Sequence, residues 1–340
     1  MTALVVNPQS FKERSTDRHH LNKLENYMQF KIRLVALAAA VVAATSAHAG
    51  VVFDANLELD ITKKSGDVAE TSKSVTASGR VEINANAQLI KNGDNYVNAK
   101  GTLIVPVSTD DGSNDVTMDD VWIQFGNSAL DLKVGRFEAA DMFPVGKDTV
   151  LETVAGAGYR ANTLRGRMTD GRAHMVAGFN AGSLRLEVGL VTEKKDNTGA
   201  AYGLRPTLVY SSGSLTLRAG LESFKTNGLS SSGLGLSAGY ALASDANVNV
   251  NFAKLSGNDK TADAASFGIN GVFGPAGVGF VRDSTDALGG VAKKSVNTFY
   301  AAYSVPLMGI KGATVTPAMS YSKSDGQNLA AVRVRFNYAF

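Results

Sequence analysis

The chain closes with the ten residues AVRVRFNYAF, from Ala331 to Phe340. Apolar and aromatic residues occupy every second position back from Phe340, and the positions between them include two arginines and an asparagine. Because successive side chains of a β-strand point to opposite faces, this stretch predicts a strand with one apolar and one polar face. A soluble sandwich could bury the apolar face. A terminal Phe preceded by Tyr338 is instead typical of the closing strand of a bacterial outer-membrane β-barrel, with lipid on one side and a water-filled lumen on the other.

The same two-residue alternation recurs from Gly50 almost to the end of the chain. In residues 53–61, apolar residues at odd positions alternate with polar residues at even positions, and residues 80–89 repeat the pattern. Each such run is close to the roughly nine to eleven residues that a tilted strand needs to cross a bilayer. We predict about sixteen strands, near 51–62, 78–90, 95–107, 116–126, 129–137, 171–180, 183–191, 201–211, 214–224, 234–242, 247–255, 265–273, 276–283, 296–306, 313–323 and 328–340.

The connections between these segments alternate in length. Short turns such as Gly274-Pro275 alternate with longer loops such as 192–200 and 225–233, and the longest loop is 138–170. Short periplasmic turns and longer outer loops are expected of an outer-membrane barrel. Backbone groups that face hydrocarbon have no water to bond, so every strand edge must be paired. The sequence therefore predicts a closed antiparallel transmembrane β-barrel of about 16 strands, as a single domain over residues 50–340, with an aqueous channel inside.

The composition excludes several other classes of protein. No stretch of the sequence reaches the roughly eighteen apolar residues of a spanning helix, which excludes a helical membrane protein. There is no cysteine, so disulfide scaffolds, thiolate metal sites and cysteine nucleophiles are excluded. No phosphate-binding loop, dinucleotide fingerprint or metal-ligand spacing is present, and we expect no cofactor and no metal. Ser237, in a Gly-Leu-Ser-Ala-Gly run, and His174 are the candidate catalytic residues, but the run alternates as a strand interior, so we predict no enzyme activity.

An export signal is predicted at residues 28–49. Lys31 and Arg33 precede an apolar run over 34–44, and Ala47-His48-Ala49 is a small-x-small cleavage site, so the mature chain is expected to start at Gly50. Residues 1–27 are interpreted as a mis-called start or a disordered extension. Removal of residues 1–49 takes away six of the 34 Lys and Arg and three of the 31 Asp and Glu, which leaves 28 of each. A mature chain without net charge gives no reason to expect nucleic acid as a partner.

The 138–170 loop is the predicted pore constriction, because long loops in compact proteins usually have a function. Arg136 precedes it, acidic residues lie in its first half, and arginines follow. We expect its carboxylates to face arginines on the polar faces of the strands, where opposed charges would favour polar solutes over apolar ones. The residues assigned to the constriction are Glu138, Asp141, Phe143, Asp148, Glu152, Tyr159 and Arg160 from the loop, with Arg80, Arg136, Arg185, Arg205 and Arg218 from the wall.

The only Trp of the chain, Trp122, shares strand parity with Asp120 and Gln124, so the sequence predicts that it faces the lumen. The axial face of a sugar packs on an aromatic ring while its hydroxyls bond to flanking polar groups, and these three residues together suit a saccharide. The alternative is that Trp122 packs under the inserted loop and anchors it. Phe143 and Tyr159 carry the same two interpretations.

Two stretches resemble the glycoporins related to the raffinose porin. They are Val121-Trp122-Ile123-Gln124-Phe125 and the run from Leu132-Lys133-Val134-Gly135-Arg136-Phe137 through Phe143-Pro144-Val145-Gly146-Lys147-Asp148. The resemblance implies a Gram-negative outer-membrane porin of 16–18 strands, a homotrimer whose third outer loop bends into each pore. It also implies that the partners are oligosaccharides or other small polar solutes, together with outer-membrane lipid and lipopolysaccharide.

The function expected from these observations is passive diffusion of small hydrophilic solutes through the outer membrane, with a preference for oligosaccharides. A general or ion-selective porin without sugar preference is the alternative within transport. A barrel enzyme or an adhesin is the alternative from another class. An enzyme would need a fuller catalytic set than His174 and Ser237, and an adhesin would need larger outer loops.

Overall fold

The structure is a computed structural model that describes residues 50–67, 75–108, 115–154, 158–167, 171–195, 199–226 and 228–340. The extension 1–27 and the export signal 28–49 lie outside these residues. Within them, no helix has the length and apolar character needed to cross a membrane. The strands are β1 (Gly50–Gly66), β2 (Val75–Asn92), β3 (Asn95–Ser108), β4 (Thr117–Gly126), β5 (Leu130–Arg136), β6 (Arg172–Ala181), β7 (Leu184–Lys195), β8 (Gly199–Ser212), β9 (Leu215–Thr226), β10 (Leu229–Ala243), β11 (Ala246–Ser256), β12 (Ala264–Phe273), β13 (Ala276–Thr285), β14 (Lys294–Tyr303, continued at Val305–Pro306), β15 (Ala313–Ser324) and β16 (Gln327–Ala339).

The strands form one closed antiparallel sheet. Each strand pairs with its neighbours in sequence, and β1 pairs with the last strand from Asn56 opposite Ala339 to Gly66 opposite Leu329. Strand β14 is interrupted at Ser304, but its register against β15 continues unchanged across the break. The ring therefore has sixteen strands, which confirms the predicted class and number. Because the sheet is closed, no strand edge exposes unpaired backbone N–H and C=O groups to hydrocarbon.

The two faces of the sheet differ as the alternation predicts. Large apolar side chains on one parity are exposed, for example Leu59 at 40% and Phe299 at 59%. Polar side chains on the other parity are buried, for example Asp60 at 7% and Thr298 at 0%. An apolar outer surface and a polar inner surface are what a barrel in lipid requires. The polar face of a strand is the face that carries these buried polar side chains.

Short and long connections alternate along only part of the chain. The connection between β9 and β10 is as short as the turns before and after it, and the connection 325–326 is shorter than 307–312. Two predicted loops are shorter in the structure. Strands β7 and β8 extend across most of 192–200, and β9 and β10 extend across most of 225–233, with Ser223 opposite Ser232 and Thr226 opposite Leu229. Serine, threonine and lysine do not stop a strand where paired backbone groups continue the ladder. Polar composition at a strand end therefore does not mark the end of the strand.

Candidate functional site

The connection between β5 and β6 runs along the polar faces of the strands. Its residues 137–167 are called the long segment here. The Pro144 carbonyl oxygen accepts hydrogen bonds from the side-chain amides of Asn251 (2.7 Å) and Asn270 (2.6 Å), on β11 and β12. Lys147 Nζ donates to the Pro275 carbonyl oxygen at 2.8 Å, in the short turn between β12 and β13. The first half of the long segment thus reaches the end of the barrel where the short turns lie.

Glycines on the polar faces make room for the apolar side chains of the long segment. A Cβ added at Gly235 on β10 would lie 2.6 Å from the Cβ atoms of both Met142 and Ala161. A Cβ added at Gly268 on β12 would lie 2.9 Å from the Phe143 ring. A Cβ added at Gly203, Gly220 or Gly233 would likewise overlap Leu164, Met142 or Tyr159, respectively. The strands from β8 to β12 therefore form a shallow bed that side chains at these positions would fill.

The middle of the long segment docks near the junction of the first and last strands. The backbone N–H groups of Glu152 and Val154 donate to Ser320 Oγ (3.2 Å) and Ser322 Oγ (3.1 Å) on β15. Arg333 on β16 donates to the Thr149 carbonyl oxygen at 2.8 Å. The Glu152 carboxylate pairs with Lys64 on β1 at 2.8 Å.

A single buried carboxylate, Glu222 on β9, anchors the second half. It accepts hydrogen bonds from the Tyr159 hydroxyl (2.7 Å) and from the backbone N–H groups of Thr163 (3.1 Å) and Leu164 (2.8 Å). Burial of the phenol, followed by the adjacent Glu222 charge, raises the pKa of Tyr159 above its usual range. Tyr159 therefore stays protonated and remains a hydrogen-bond donor to Glu222.

Two arginines of the long segment extend these contacts to other strands. Arg160 pairs with Asp283 on β13 at 3.2 Å. Arg165 donates to Thr207 Oγ1 on β8 at 2.9 Å and to the Leu221 carbonyl oxygen on β9 at 3.0 Å. These bonds satisfy several of the buried donors of the two guanidiniums, while the Nε atom of each has no hydrogen-bond partner among the described residues.

Arg167 clamps the two ends of the long segment together. Its guanidinium pairs with Asp120 (2.7 Å) and Asp119 (3.3 Å) on β4 and with Glu138 (2.9 Å) at the start of the segment. Burial alone would lower the pKa of Arg167, but the hydrogen bond to Asp120 and the three carboxylate charges outweigh it and raise the pKa. The base of the segment is thus held by charge-assisted bonds, which are the stronger kind.

Two of the assigned wall arginines, Arg80 and Arg185, pair with carboxylates of the sheet and not with loop carboxylates, whereas Arg333 on β16, which the sequence did not single out, lies 4.0 Å from Glu152 of the loop. Arg80 pairs with Glu58 (3.1 Å) and Glu82 (3.6 Å). Arg185 pairs with Asp131 and Glu187, both at 2.8 Å. The physical reason is proximity, because carboxylates at adjacent positions of the same polar face are nearer than a loop that approaches from one side.

The other two predicted wall arginines differ in their surroundings. Arg205 on β8 is completely buried, and its guanidinium lies 3.1 Å from His174 Nδ1 rather than lining open space. Arg218 on β9 is half-buried and lies opposite Ser237 on β10. Ser237 itself is within strand β10, as the alternation through its Gly-Leu-Ser-Ala-Gly run predicts.

The loop carboxylates are divided between exposed and structural positions. Asp141 accepts a hydrogen bond from the Phe143 N–H at 2.8 Å, and Glu152 pairs with Lys64. Asp148 is exposed, and Glu138 keeps 60% of its side chain exposed although it pairs with Arg167.

Trp122 lies on the polar face, with Lys100 and Gly135 directly opposite on the adjacent strands. The Lys133 ammonium sits 3.9 Å from the centre of the Trp122 ring, a cation–π contact. Gln124 donates to Asp131 at 3.0 Å. Trp122 is half-buried. Of the two polar residues that flank it, Gln124 is bonded within the wall, and Asp120 accepts from Lys100 of the wall and from Arg167 of the long segment.

Phe143 and Tyr159 are buried at 3% and 8%, packed between the long segment and the strands. Their surroundings fit the anchoring interpretation.

Arg136, the last residue of β5, donates a hydrogen bond to the Met118 carbonyl oxygen on β4. Sequence reasoning missed Glu222, Asp283, Asn251 and Asn270 as partners of the long segment, although each stands at a polar-face position, where alternation alone could have flagged it.

Comparisons with known proteins agree with this architecture. Residues 49–204 match the family described as porin-like glycoporin RafY. A loop-deletion mutant of OmpT, an outer membrane protein of Vibrio cholerae, is 14% identical with a TM-score of 0.61, over 86% of this chain and 99% of that chain. OprB of Pseudomonas putida is 13% identical with a TM-score of 0.62, over 86% and 94%. A mutant of the Rh. blastica porin is 15% identical with a TM-score of 0.57, over 85% and 100%. Among curated proteins, no significant match was found.

Proposed function

We propose that this chain, a porin that resembles the porin-like glycoporins, forms a passive outer-membrane diffusion channel for small hydrophilic solutes and for oligosaccharides in particular. The family match and the closed barrel support an outer-membrane channel. The observation that carries the finer proposal is the path of the long segment, which contacts the polar faces of strands from β8 round to β1. Sixteen strands enclose a bore too wide to select solutes by itself.

The long segment is proposed to narrow this bore and to place charge in it. Asp148 is exposed on the segment, within electrostatic range of Arg335 on β16. Arg335 is held in place by Asp60 at 2.8 Å, and Arg80 on β2 keeps 46% of its side chain exposed. Carboxylates on one side and guanidiniums on the other favour hydrated, hydrogen-bonding solutes.

A preference for sugars is supported by Trp122 and its neighbours. The ring offers an apolar surface. Lys100 and Gln124 beside it have hydrogen-bonding capacity beyond their bonds to Asp120 and Asp131. An aromatic face bordered by a few placed polar groups suits a ligand that is apolar on one side and rich in hydroxyls on the edges. Trp122 is proposed to contact the solute.

The balance of wall charges distinguishes a sugar channel from the ion-selective alternative. Arg80 and Arg185 are each paired with two carboxylates of the wall. Strong selection of one ion sign needs a field of one sign in the bore. The paired charges therefore favour a channel for neutral polar solutes over an ion-selective one.

The remaining parts of the proposal concern export and assembly. We propose that residues 28–49 are a cleaved signal peptide, on the basis of the positive head, apolar run and Ala47-His48-Ala49 site in the sequence. The homotrimer and the contacts with outer-membrane lipid and lipopolysaccharide are proposed from the family resemblance. The exposed apolar outer face supports the lipid contact.

Conductance in a planar bilayer tests the proposed function. The purified protein is expected to insert with stepwise current increments, and raffinose or maltodextrins should reduce that current. Replacing Trp122 by Ala should raise the half-blocking sugar concentration about two- to twelve-fold, as expected for an aromatic contact worth about 0.5–1.5 kcal/mol. If sugars leave the current unchanged while a salt gradient shows strong ion selectivity, the sugar proposal is wrong. An unaltered half-blocking concentration in the Trp122 variant would exclude only the role of Trp122.

A further inference from the structure

Arg205 and His174 form a buried pair beneath the start of the long segment. Arg205 is 0% exposed and His174 is 2% exposed. Arg205 Nη2 lies 3.1 Å from His174 Nδ1. The Phe137 ring, itself buried, lies 5.0 Å from the His174 ring and 5.8 Å from the Arg205 guanidinium carbon. Phe137 therefore closes the pair off from the bore.

Arg205 has no ion-pair partner within the described part of the chain. The two carboxylates whose charges act on it are engaged by other arginines: Glu187 pairs with Arg185 at 2.8 Å, and Glu222 lies 3.9 Å from Arg165. No carboxylate of the described residues stands within ion-pair distance of Arg205. A buried guanidinium without a counter-charge is costly, because desolvation is not repaid.

The same pair carries donors that lack partners. Arg205 Nε and Nη1 and His174 Nε2 are buried, and none has a hydrogen-bond partner among the described residues. Because His174 Nδ1 accepts from Arg205, the neutral imidazole carries its proton on Nε2, so all three atoms are donors. Buried donors are normally paired, and an unpaired set in one place indicates a missing acceptor.

We infer that Arg205 and His174 bind a small inorganic anion beneath Phe137. Only an anion supplies both the acceptor and the counter-charge. A Cβ added at Gly189 would lie 2.8–2.9 Å from three Arg205 atoms, so the guanidinium is held against the β7 backbone and Arg205 is fixed in place for the anion. The anion would fix the base of the long segment and lies outside the proposed solute path.

Bromide soaking of crystals of the full-length barrel tests this inference. In crystals with bromide in place of chloride, an anomalous peak is expected within hydrogen-bonding distance of Arg205 and His174. Arg205→Met should abolish the peak, whereas Arg218→Met, on the next strand and half-buried, should keep it. Two results would overturn the inference. The first is ordered water at the site in place of bromide, and the second is bromide at exposed lysines alone, that is, an adventitious ion only.

A second measurement needs no variant, in case Arg205→Met does not fold. The thermal unfolding of the wild-type protein is compared in sodium chloride and in sodium gluconate at equal ionic strength, with gluconate as a bulky organic anion for comparison with the small chloride ion. A higher unfolding temperature in chloride is expected, because an ion that binds only the folded state stabilises it. Equal unfolding temperatures in the two salts would contradict the anion site.

Discussion

Replacing Gly235 by Val should displace the long segment from its bed. The new Cβ would lie 2.6 Å from the Cβ atoms of Met142 and Ala161, about 1 Å short of ordinary van der Waals contact. Met142 is 1% exposed and Ala161 is 0% exposed, so neither can yield without leaving the packed interface. Loss of a large buried apolar contact costs about 2–5 kcal/mol. At about 1.4 kcal/mol for each tenfold change, the undocked population should rise at least about thirty-fold.

Gly239→Val is the matched control for this substitution. Gly239 lies on the same face of β10, but a Cβ there would meet only the amide oxygen of Asn249, at 2.7 Å, and that side chain can rotate. Single-channel recordings are expected to show larger or fluctuating conductance for Gly235→Val and wild-type conductance for Gly239→Val. If the two variants conduct alike, the packing of Met142 on Gly235 does not control the bore and the reasoning is refuted.

Two further variants test the anchors of the long segment. Burial keeps Tyr159 neutral in the folded protein, whereas an unfolded tyrosine ionises near about pH 10. The free energy of unfolding of the wild type therefore falls as the pH rises past that point. In Tyr159→Phe this decrease should be smaller. Unfolding free energies measured from pH 8 to 12 check this, and parallel pH profiles for wild type and variant would contradict it. Arg167→Met should remove the ion pairs with Asp120 and Glu138 at the base of the long segment and increase the noise of the single-channel current. Arg282→Met, at an exposed position on β13, is the control. Equal current noise in the two variants would refute the proposed role of Arg167.

Alternation predicted most of the fold because each strand carries its face assignment locally. Alternation alone places Leu59 on the outer face and Asp60 on the inner face, without information about the neighbouring strands. The closed ring follows from the requirement that every backbone group in lipid be paired. The break at Ser304 was not predicted, but it does not change the register. Strand ends were less predictable, since the ladder continues through polar residues such as Ser232.

The partners of the long segment could not be predicted in the same way. Parity places Glu222, Asn251 and Arg205 on the polar face, but it does not say which strands a loop will cross. The glycines of the bed, such as Gly235, are visible in the sequence as small inward residues, yet only the fold shows that Met142 fills the space. Arg80 and Arg185 do not form the expected pairs with loop carboxylates, because carboxylates at neighbouring positions of the sheet are closer to them.

The most direct test of the proposed channel is the conductance of a protein without the long segment. Residues 140–163 are replaced by a short Gly-Ser linker, and retention of the barrel is checked by its heat-dependent migration on gels. If the long segment narrows the bore, single-channel conductance should rise several-fold and sugar block should weaken. An intact barrel whose conductance and sugar block equal those of the wild type would show that the segment does not control passage.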